Sequence, residues 1–320
     1  MIENQNKELL TIISPAYNEA ENLDELYSRI LNATENLNLE IEIIYVNDGS
    51  NDNTIEVINR QSKNDGRITV IDLSRNFGKE IALTAGLDHA SGDAVIVIDS
   101  DLQDPPEVIP QLVEKWRDGN DVVNAKRIKR KGEGLLKKIT SYTYYRLLFH
   151  LSDIKIPMDT GDFRLLNRNA LNAVLKLREK HRYMKGLFAW VGFKQQEIQY
   201  EREARYKGKT KWSFFALFNL AFDGLTSFSI LPLRLASTVG FLSALFGFFY
   251  GATIVIKKVF FHEPVVGFTS LVVLITFFGG IQLLSIGIIG EYIGRIFNET
   301  KNRPLYIVKN IKESVFSNKS

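Results

Sequence analysis

Residues 235–256 carry no charged side chain, and residues 264–290 carry none either. An α-helix rises about 1.5 Å per residue, so the first of these stretches would extend about 33 Å, enough for the hydrocarbon core of a bilayer. The second is longer and is expected to tilt or to run into the interface. The competing reading is a buried helical hairpin in a large soluble core, where charge-free stretches of this length are rare. Gly240, Ser243, Ala244, Gly247, Gly279, Gly280 and Gly287 are small residues suited to close helix–helix packing.

Composition averaged over the chain hides this. The mean hydropathy is near zero because a charged, mixed first two thirds offsets the apolar end. The length of 320 residues suits about two folding units. Cysteine is absent, which excludes disulfides, thiolate zinc sites and a cysteine nucleophile, and four scattered histidines do not suggest a histidine metal site. Met1–Leu10 has no apolar core, so no cleavable signal peptide is expected and the N-terminal part should stay in the cytoplasm. Arg202, Arg205, Lys207, Lys209, Lys211 and Arg234 precede the first stretch; Arg295, Lys301, Arg303, Lys309 and Lys312 follow the second. Only Lys257 and Lys258 lie between, beside His262 and Glu263, so both ends are expected on the cytoplasmic side.

Strands and helices alternate along the first hundred residues. Apolar runs at 10–14, 42–46, 68–73 and 94–98 read as strands, the first ended by Pro15. Between them, 23–31, 52–63 and 79–90 read as helices, with Asn22 or Asp24 as the first cap. This spacing predicts a parallel α/β sheet, in which ligands bind beyond the carboxyl ends of the strands. The polar clusters all fall there: Pro15-Ala16-Tyr17-Asn18-Glu19, Asn47-Asp48-Gly49-Ser50, Ser74-Arg75-Asn76-Phe77-Gly78-Lys79, and Asp99-Ser100-Asp101. Each alone could be turn chemistry; four on one edge suggest a binding site. At a strand end the chain can turn so that Asp99 and Asp101 address one hydrated divalent cation holding a diphosphate. Pro105-Pro106 would stop the strand there. Neither a G-x-G-x-x-G after the first strand nor a G-x-x-x-x-G-K-[ST] occurs, which disfavours dinucleotide oxidoreductases and P-loop NTPases.

Together with Gly161-Asp162-Phe163-Arg164, these clusters resemble a family 2 glycosyltransferase with a GT-A fold. Ser74 to Glu80 and Asp101-Leu102-Gln103-Asp104-Pro105-Pro106-Glu107 are similar to the polyprenyl-phosphate branch, which includes dolichol-phosphate mannose synthase and bacterial undecaprenyl-phosphate sugar transferases. The resemblance implies an α/β GT-A nucleotide-sugar domain (1–213), an interfacial amphipathic helix (214–230), two transmembrane helices (231–298) and a cytoplasmic tail (299–320). It implies that Pro15, Tyr17, Glu19, Asp48, Asp99 and Ser100 serve the nucleotide sugar, with Arg205 and Lys211 on a loop closing over the diphosphate. Asp99, Asp101 and Gln103 would serve Mg²⁺ or Mn²⁺, Asp101 and Asp162 catalysis, and Arg127, Lys137 and Ser141 the lipid phosphate.

Two of these assignments have competing readings in the residues themselves. Asp162 could instead pair with Arg164 or Arg168 and shape its loop. An acceptor phosphomonoester, with a second pKa of about 6, also hardly needs a base. The basic run 126–138 and the amphipathic pattern after it read as a surface on an anionic membrane rather than as nucleic-acid binding. The expected activity is inverting transfer of one hexosyl group, from UDP-glucose or UDP-N-acetylglucosamine, to undecaprenyl phosphate; GDP-mannose is the alternative donor. A processive synthase is disfavoured by the absence of a Gln-x-x-Arg-Trp cluster, and a non-catalytic scaffold by the intact acidic set. The bacterial plasma membrane and a homo-oligomer are the expected setting.

Overall fold

The computed structural model describes residues 7–128, 160–201, 203, 230–260 and 267–317. Strands β1 (Leu9–Ala16), β2 (Glu40–Asn47), β3 (Ile68–Leu73) and β4 (Ala94–Val97) alternate with helices α1 (Leu23–Thr34), α2 (Thr54–Asn64) and α3 (Lys79–Asp88). A short 3-10 turn, Pro106–Val108, leads into α4 (Ile109–Arg117). Then come β5 (Val122–Arg127), β6 (Thr160–Asn167), α5 (Arg168–Leu175), α6 (Met184–Trp190) and β7 (Gln195–Tyr200). Two long helices, α7 (Leu231–Phe260) and α8 (Phe268–Thr300), precede a last strand, β8 (Val308–Lys312).

All eight strands form one sheet in the order β7-β5-β6-β4-β1-β2-β3-β8. Both faces of its centre are buried, because alternate side chains of each strand feed opposite layers. Leu10, Ile12, Ile43, Tyr45 and Ile96 lie on the face covered by α1, α2 and α4. Ile13, Ile44, Val46, Val95 and Val97 face α3, α5 and α6. The four strands read from the sequence pair in parallel as expected, and the later strands make the sheet a mixed one. β1 to β4 are mutually parallel, but β6 runs antiparallel to β4 and β5, and β8 antiparallel to β3. β6 escapes a pattern-based reading because Asp162 and Arg164 occupy buried positions between the apolar Phe163 and Leu165. β1 also runs past Pro15, which it tolerates near its end, where it pairs with Val46 of β2.

The residues after the second apolar stretch are more than a tail. α8 extends to Thr300, and β8 then covers the open edge of β3, which would otherwise expose unpaired backbone groups. Beyond β8, Ser314 is buried and its Oγ donates to Glu42 Oε1 at 2.9 Å. The other oxygen of Glu42, fully buried in β2, accepts from Thr11 Oγ1 at 2.6 Å and from the Ser91 N–H at 3.0 Å. A buried carboxylate is tolerable only with such donors.

α7 and α8 are long and apolar enough to cross a membrane, and their most apolar windows are wholly unburied, unlike those of core helices. They pack against each other with Phe278 close to Gly247, where an added Cβ would meet its ring at 3.3 Å. Gly240, Gly279, Gly280 and Gly287 have nothing that near, so of the glycines marked in the sequence Gly247 makes the tight helix contact. The expected interfacial helix at 214–230 lies outside the described residues except for Ile230.

Ser314→Ala removes one donor from the buried Glu42 carboxylate. It is expected to lower stability by about 1–3 kcal/mol without altering the sheet. Thermal unfolding in detergent checks this, and an unchanged Tm would show that the residues after β8 add nothing to the core.

Candidate functional site

The loops after β1 and β2 are laced together. Asn18 donates its N–H to Ser50 Oγ at 3.0 Å, Asn51 its N–H to Asn18 Oδ1 at 2.7 Å, and Glu19 its N–H to Thr54 Oγ1 at 3.0 Å. Gly49 has φ +64°, and a Cβ there would fall 2.4 Å from the backbone carbon of Arg75, so glycine lets the third loop press against the second. Asp48 fixes that third loop: its two oxygens accept the N–H groups of Phe77 at 2.7 Å and Gly78 at 3.0 Å. Burial raises the Asp48 pKa, against the effect of those two donors. The three loops form one continuous polar rim.

The acidic loop turns as the sequence suggests, by means the sequence does not reveal. Leu102 has φ +58°, a strained conformation for a branched apolar side chain, and it is held there by full burial. Gln103 donates its N–H to Asp101 Oδ1 at 3.1 Å, closing the turn. Ser100 points inward, its Oγ 2.8 Å from Ser14 Oγ and donating to the Pro15 carbonyl at 2.7 Å. Ser100 and Pro15 therefore tie the first loop to the fourth. On the outer side, Arg29 of α1 grips Glu107 at 2.6 Å and Glu203 at 2.9 Å, while the Glu203 N–H donates to the Gln103 carbonyl at 3.1 Å.

Asp162, on β6, is brought to this loop by Lys79, the first residue of α3. The Lys79 ammonium lies 2.6 Å from Asp99 Oδ1, 2.8 Å from Asp99 Oδ2 and 2.6 Å from Asp162 Oδ2. Lys79 is thus the central residue that the sequence leaves without a role. Its position beside the Asn76-Phe77-Gly78 turn is the one signal for it. The alternative pairing of Asp162 with Arg164 or Arg168 is not what forms. Arg164 donates to the Gly161 carbonyl and stacks on Phe188, and Arg168 donates to the carbonyls of Ala90 and Gly92.

Charge in this cluster is finely divided. Burial of the Lys79 ammonium works against its charge, but Asp162 and Asp99 outweigh it and raise its pKa. Burial likewise opposes the Asp162 carboxylate, yet Lys79 and Lys185 hold its pKa well below the usual carboxylate range. Asp99 moves upward, through burial and through its acidic neighbours Asp162, Asp104 and Asp101, against the pull of Lys79. Glu80, next along α3, is pushed up to about 7 by burial and by the charge of Asp162. Its Oε2 accepts the Met184 N–H at 3.3 Å. Burial lowers Arg164 to about 10, so it stays cationic at neutral pH.

Among the described residues no three His, Cys, Asp or Glu side chains converge on one point to form a closed cation site. The donors that the loop does offer are two carboxylates and the Gln103 amide, all oxygen. That set fits a hard divalent ion that completes its coordination with diphosphate oxygens and water, the usual mode for Mg²⁺. Arg127, expected at the lipid phosphate, makes an internal bridge. Its guanidinium donates to Tyr200 Oη at 3.0 Å and to both oxygens of the fully buried Asp104 at 3.3 and 3.4 Å. A Cβ on Gly161 would fall 2.6 Å from it, so Gly161 leaves room for this internal bridge. Lys137, Ser141, Arg205 and Lys211 lie outside the described residues. Tyr17 and Glu19 follow β1 on the same rim, with Glu19 Oε2 accepting from Asn22 Nδ2 at 2.6 Å.

Comparison with known proteins accounts for both halves of the chain. Residues 11–175 match glycosyl transferase family 2, and residues 231–296 match the GtrB C-terminal hairpin. An uncharacterized glycosyltransferase of Synechocystis sp. is 47% identical over 302 residues, covering 94% of this chain and 95% of its own. A bactoprenol glucosyl transferase of Shigella phage SfV is 45% identical over 304 residues, covering 95% of this chain and 99% of its own. The mixed sheet is that of a GT-A glycosyltransferase, extended by two apolar helices. The chain belongs to glycosyl transferase family 2 and carries the C-terminal hairpin of its GtrB-like members.

Proposed function

We propose that this glycosyltransferase moves one glucosyl group from UDP-glucose to a polyprenyl phosphate, with its catalytic sheet on the cytoplasmic side of a bacterial membrane. The observation that carries this reading is the gathering of Asp99 and Asp162 around one ammonium at the carboxyl edge of a chain that ends in two membrane-length helices. The acceptor named by the full-length relative, bactoprenol, supports the lipid; its sugar supports glucose. Basic residues before α7 and after α8 support a cytoplasmic sheet.

The reaction follows from charge. A phosphate oxygen of the acceptor attacks the anomeric carbon from the face opposite the nucleotide diphosphate. The bond to the diphosphate breaks, and its electron pair leaves with the diphosphate oxygen. The anomeric carbon passes through an oxocarbenium-like state and its configuration inverts. Asp99, Asp101 and Gln103 would hold Mg²⁺ or Mn²⁺, which when bound would supply Lewis-acid stabilisation of the departing diphosphate. Asp48 keeps the third loop in place beside the nucleotide, and Ser100 fixes the acidic loop on Pro15. Asp162 orients the acceptor. Lys79 and Lys185 hold its carboxylate ionised, and a phosphate with a second pKa of about 6 is already ionised at neutral pH and hardly needs a base. Fixing two substrates in line supplies much of the rate.

The direct test is transfer of radiolabelled sugar to undecaprenyl phosphate by purified protein, run with UDP-glucose, UDP-N-acetylglucosamine and GDP-mannose. UDP-glucose should give lipid-linked product; product from GDP-mannose alone would overturn the donor assignment. Asp101→Asn keeps shape but removes a carboxylate charge, and should cut metal-dependent turnover about 100-fold with the fold and bilayer insertion retained. Near-normal turnover at saturating Mn²⁺ would mean that the metal lies elsewhere.

Asp162→Asn should lose roughly 10- to 100-fold in rate through a misplaced acceptor. Because the Asp162 pKa is lowered, the carboxylate is ionised throughout the working range and contributes no acidic limb near neutrality. The limb near pH 6 belongs to the acceptor phosphate and should persist in the variant, at about that value. A variant with no turnover at any pH, yet normal binding of both substrates, would make Asp162 the base after all.

A further inference from the structure

Lys79 stands where two requirements meet. Its backbone is fixed, because Asp48 holds Phe77 and Gly78 immediately before it. Its ammonium touches both oxygens of Asp99 and one of Asp162. A divalent ion at the acidic loop needs the same Asp99 carboxylate. Two cations within a few ångströms of one carboxylate repel each other, and a charge at that distance changes ion affinity about 10- to 1,000-fold. Among the described residues the acids of the cluster do not converge into a closed cation site that would offset that repulsion.

We propose that Lys79 is a positioning residue that makes divalent-metal binding conditional on the nucleotide diphosphate. Without nucleotide, the ammonium holds Asp99 and Asp162 together and competes with the metal for Asp99. A bound diphosphate brings new anionic oxygens, so that metal and ammonium each have a partner and no longer share one carboxylate. The same lysine then spans the donor-side loop and the acceptor-side strand. This inference rests on the nucleotide-sugar reading of the site.

The test is Mn²⁺ binding by the full chain in detergent, followed by the paramagnetic resonance signal of free Mn²⁺, with and without UDP or GDP. Wild-type protein should bind Mn²⁺ weakly alone and at least about tenfold more tightly with its nucleotide. Lys79→Met should bind Mn²⁺ alone about tenfold or more tightly than wild type, with most of the nucleotide's enhancement gone. Lys79→Arg should behave as wild type, because it keeps a cation between the two carboxylates. Lys79→Gln provides the neutral variant if the methionine variant does not fold, with Tm as the check.

A wild-type protein that binds both ligands, with neutral variants whose Mn²⁺ affinity is unchanged or weaker, overturns the role of Lys79 alone. A wild-type protein that binds neither Mn²⁺ nor nucleotide in any combination overturns the nucleotide-sugar reading and this inference with it.

Discussion

One ammonium group lies between carboxylates that come from different parts of the sheet, and much of the site is arranged to keep it there. Asp99 ends the parallel half of the molecule, and Asp162 sits on the antiparallel strand β6. Left alone, the two carboxylates would repel across the strand boundary. Lys79 turns that repulsion into a shared ion pair, which holds only if the start of α3 is fixed. The Asp48 carboxylate does this through two backbone N–H groups, and Gly49 permits the close approach of the loop that Asp48 grips. A residue that the resemblance assigns to the nucleotide sugar thus also acts structurally, setting the position of a cation at the end of the next loop.

What the sequence made legible was the alternation on the buried centre of the sheet and the clusters at its carboxyl edge. β1 to β4 repeat apolar residues densely enough to be read directly, and Asp-Ser-Asp at the end of the fourth is a distinct chemical signal. The three strands β5, β6 and β7 were not legible. In β6 the alternation is interrupted by Asp162 and Arg164, buried because they serve the site. In β7 most side chains are exposed or half-exposed polar groups, with Ile198 and Tyr200 as its buried residues. β8 could not be read at all from local pattern, since Val-Lys-Asn-Ile-Lys becomes a strand only through the edge of β3. Lys79 was hidden for a related reason: a single lysine has meaning only when its two partners, 20 and 83 positions away, are brought to it by the fold.

The C-terminal segment joins the membrane part to the catalytic sheet through specific contacts. At the end of α8, Glu299 Oε1 accepts the Lys180 N–H at 2.6 Å, and Asn298 lies 3.3 Å from His181. Further on, Tyr306 donates to Asp88 at 2.9 Å, and β8 locks onto β3. Lys180 and His181 lie just before α6, whose first N–H, from Met184, reaches Glu80 beside Lys79. A continuous path of packed and hydrogen-bonded groups therefore runs from the second apolar helix to the acidic cluster. Under the proposed function a lipid acceptor would need the catalytic edge at a fixed height, and these contacts tie that edge to the second helix.

Electrostatic balance differs from one acid of the cluster to the next. Asp162 remains ionised because Lys79 and Lys185 outweigh its burial. Glu80, with its pKa pushed up to about 7, is different: near neutral pH a small rise in local negative charge is enough to protonate it. Under the proposed function a bound phosphate or diphosphate would be such a rise, while Lys79 and Arg164 stay cationic. On that reading the acceptor phosphate arrives already able to attack, so what the protein would supply is placement and positive charge rather than a base.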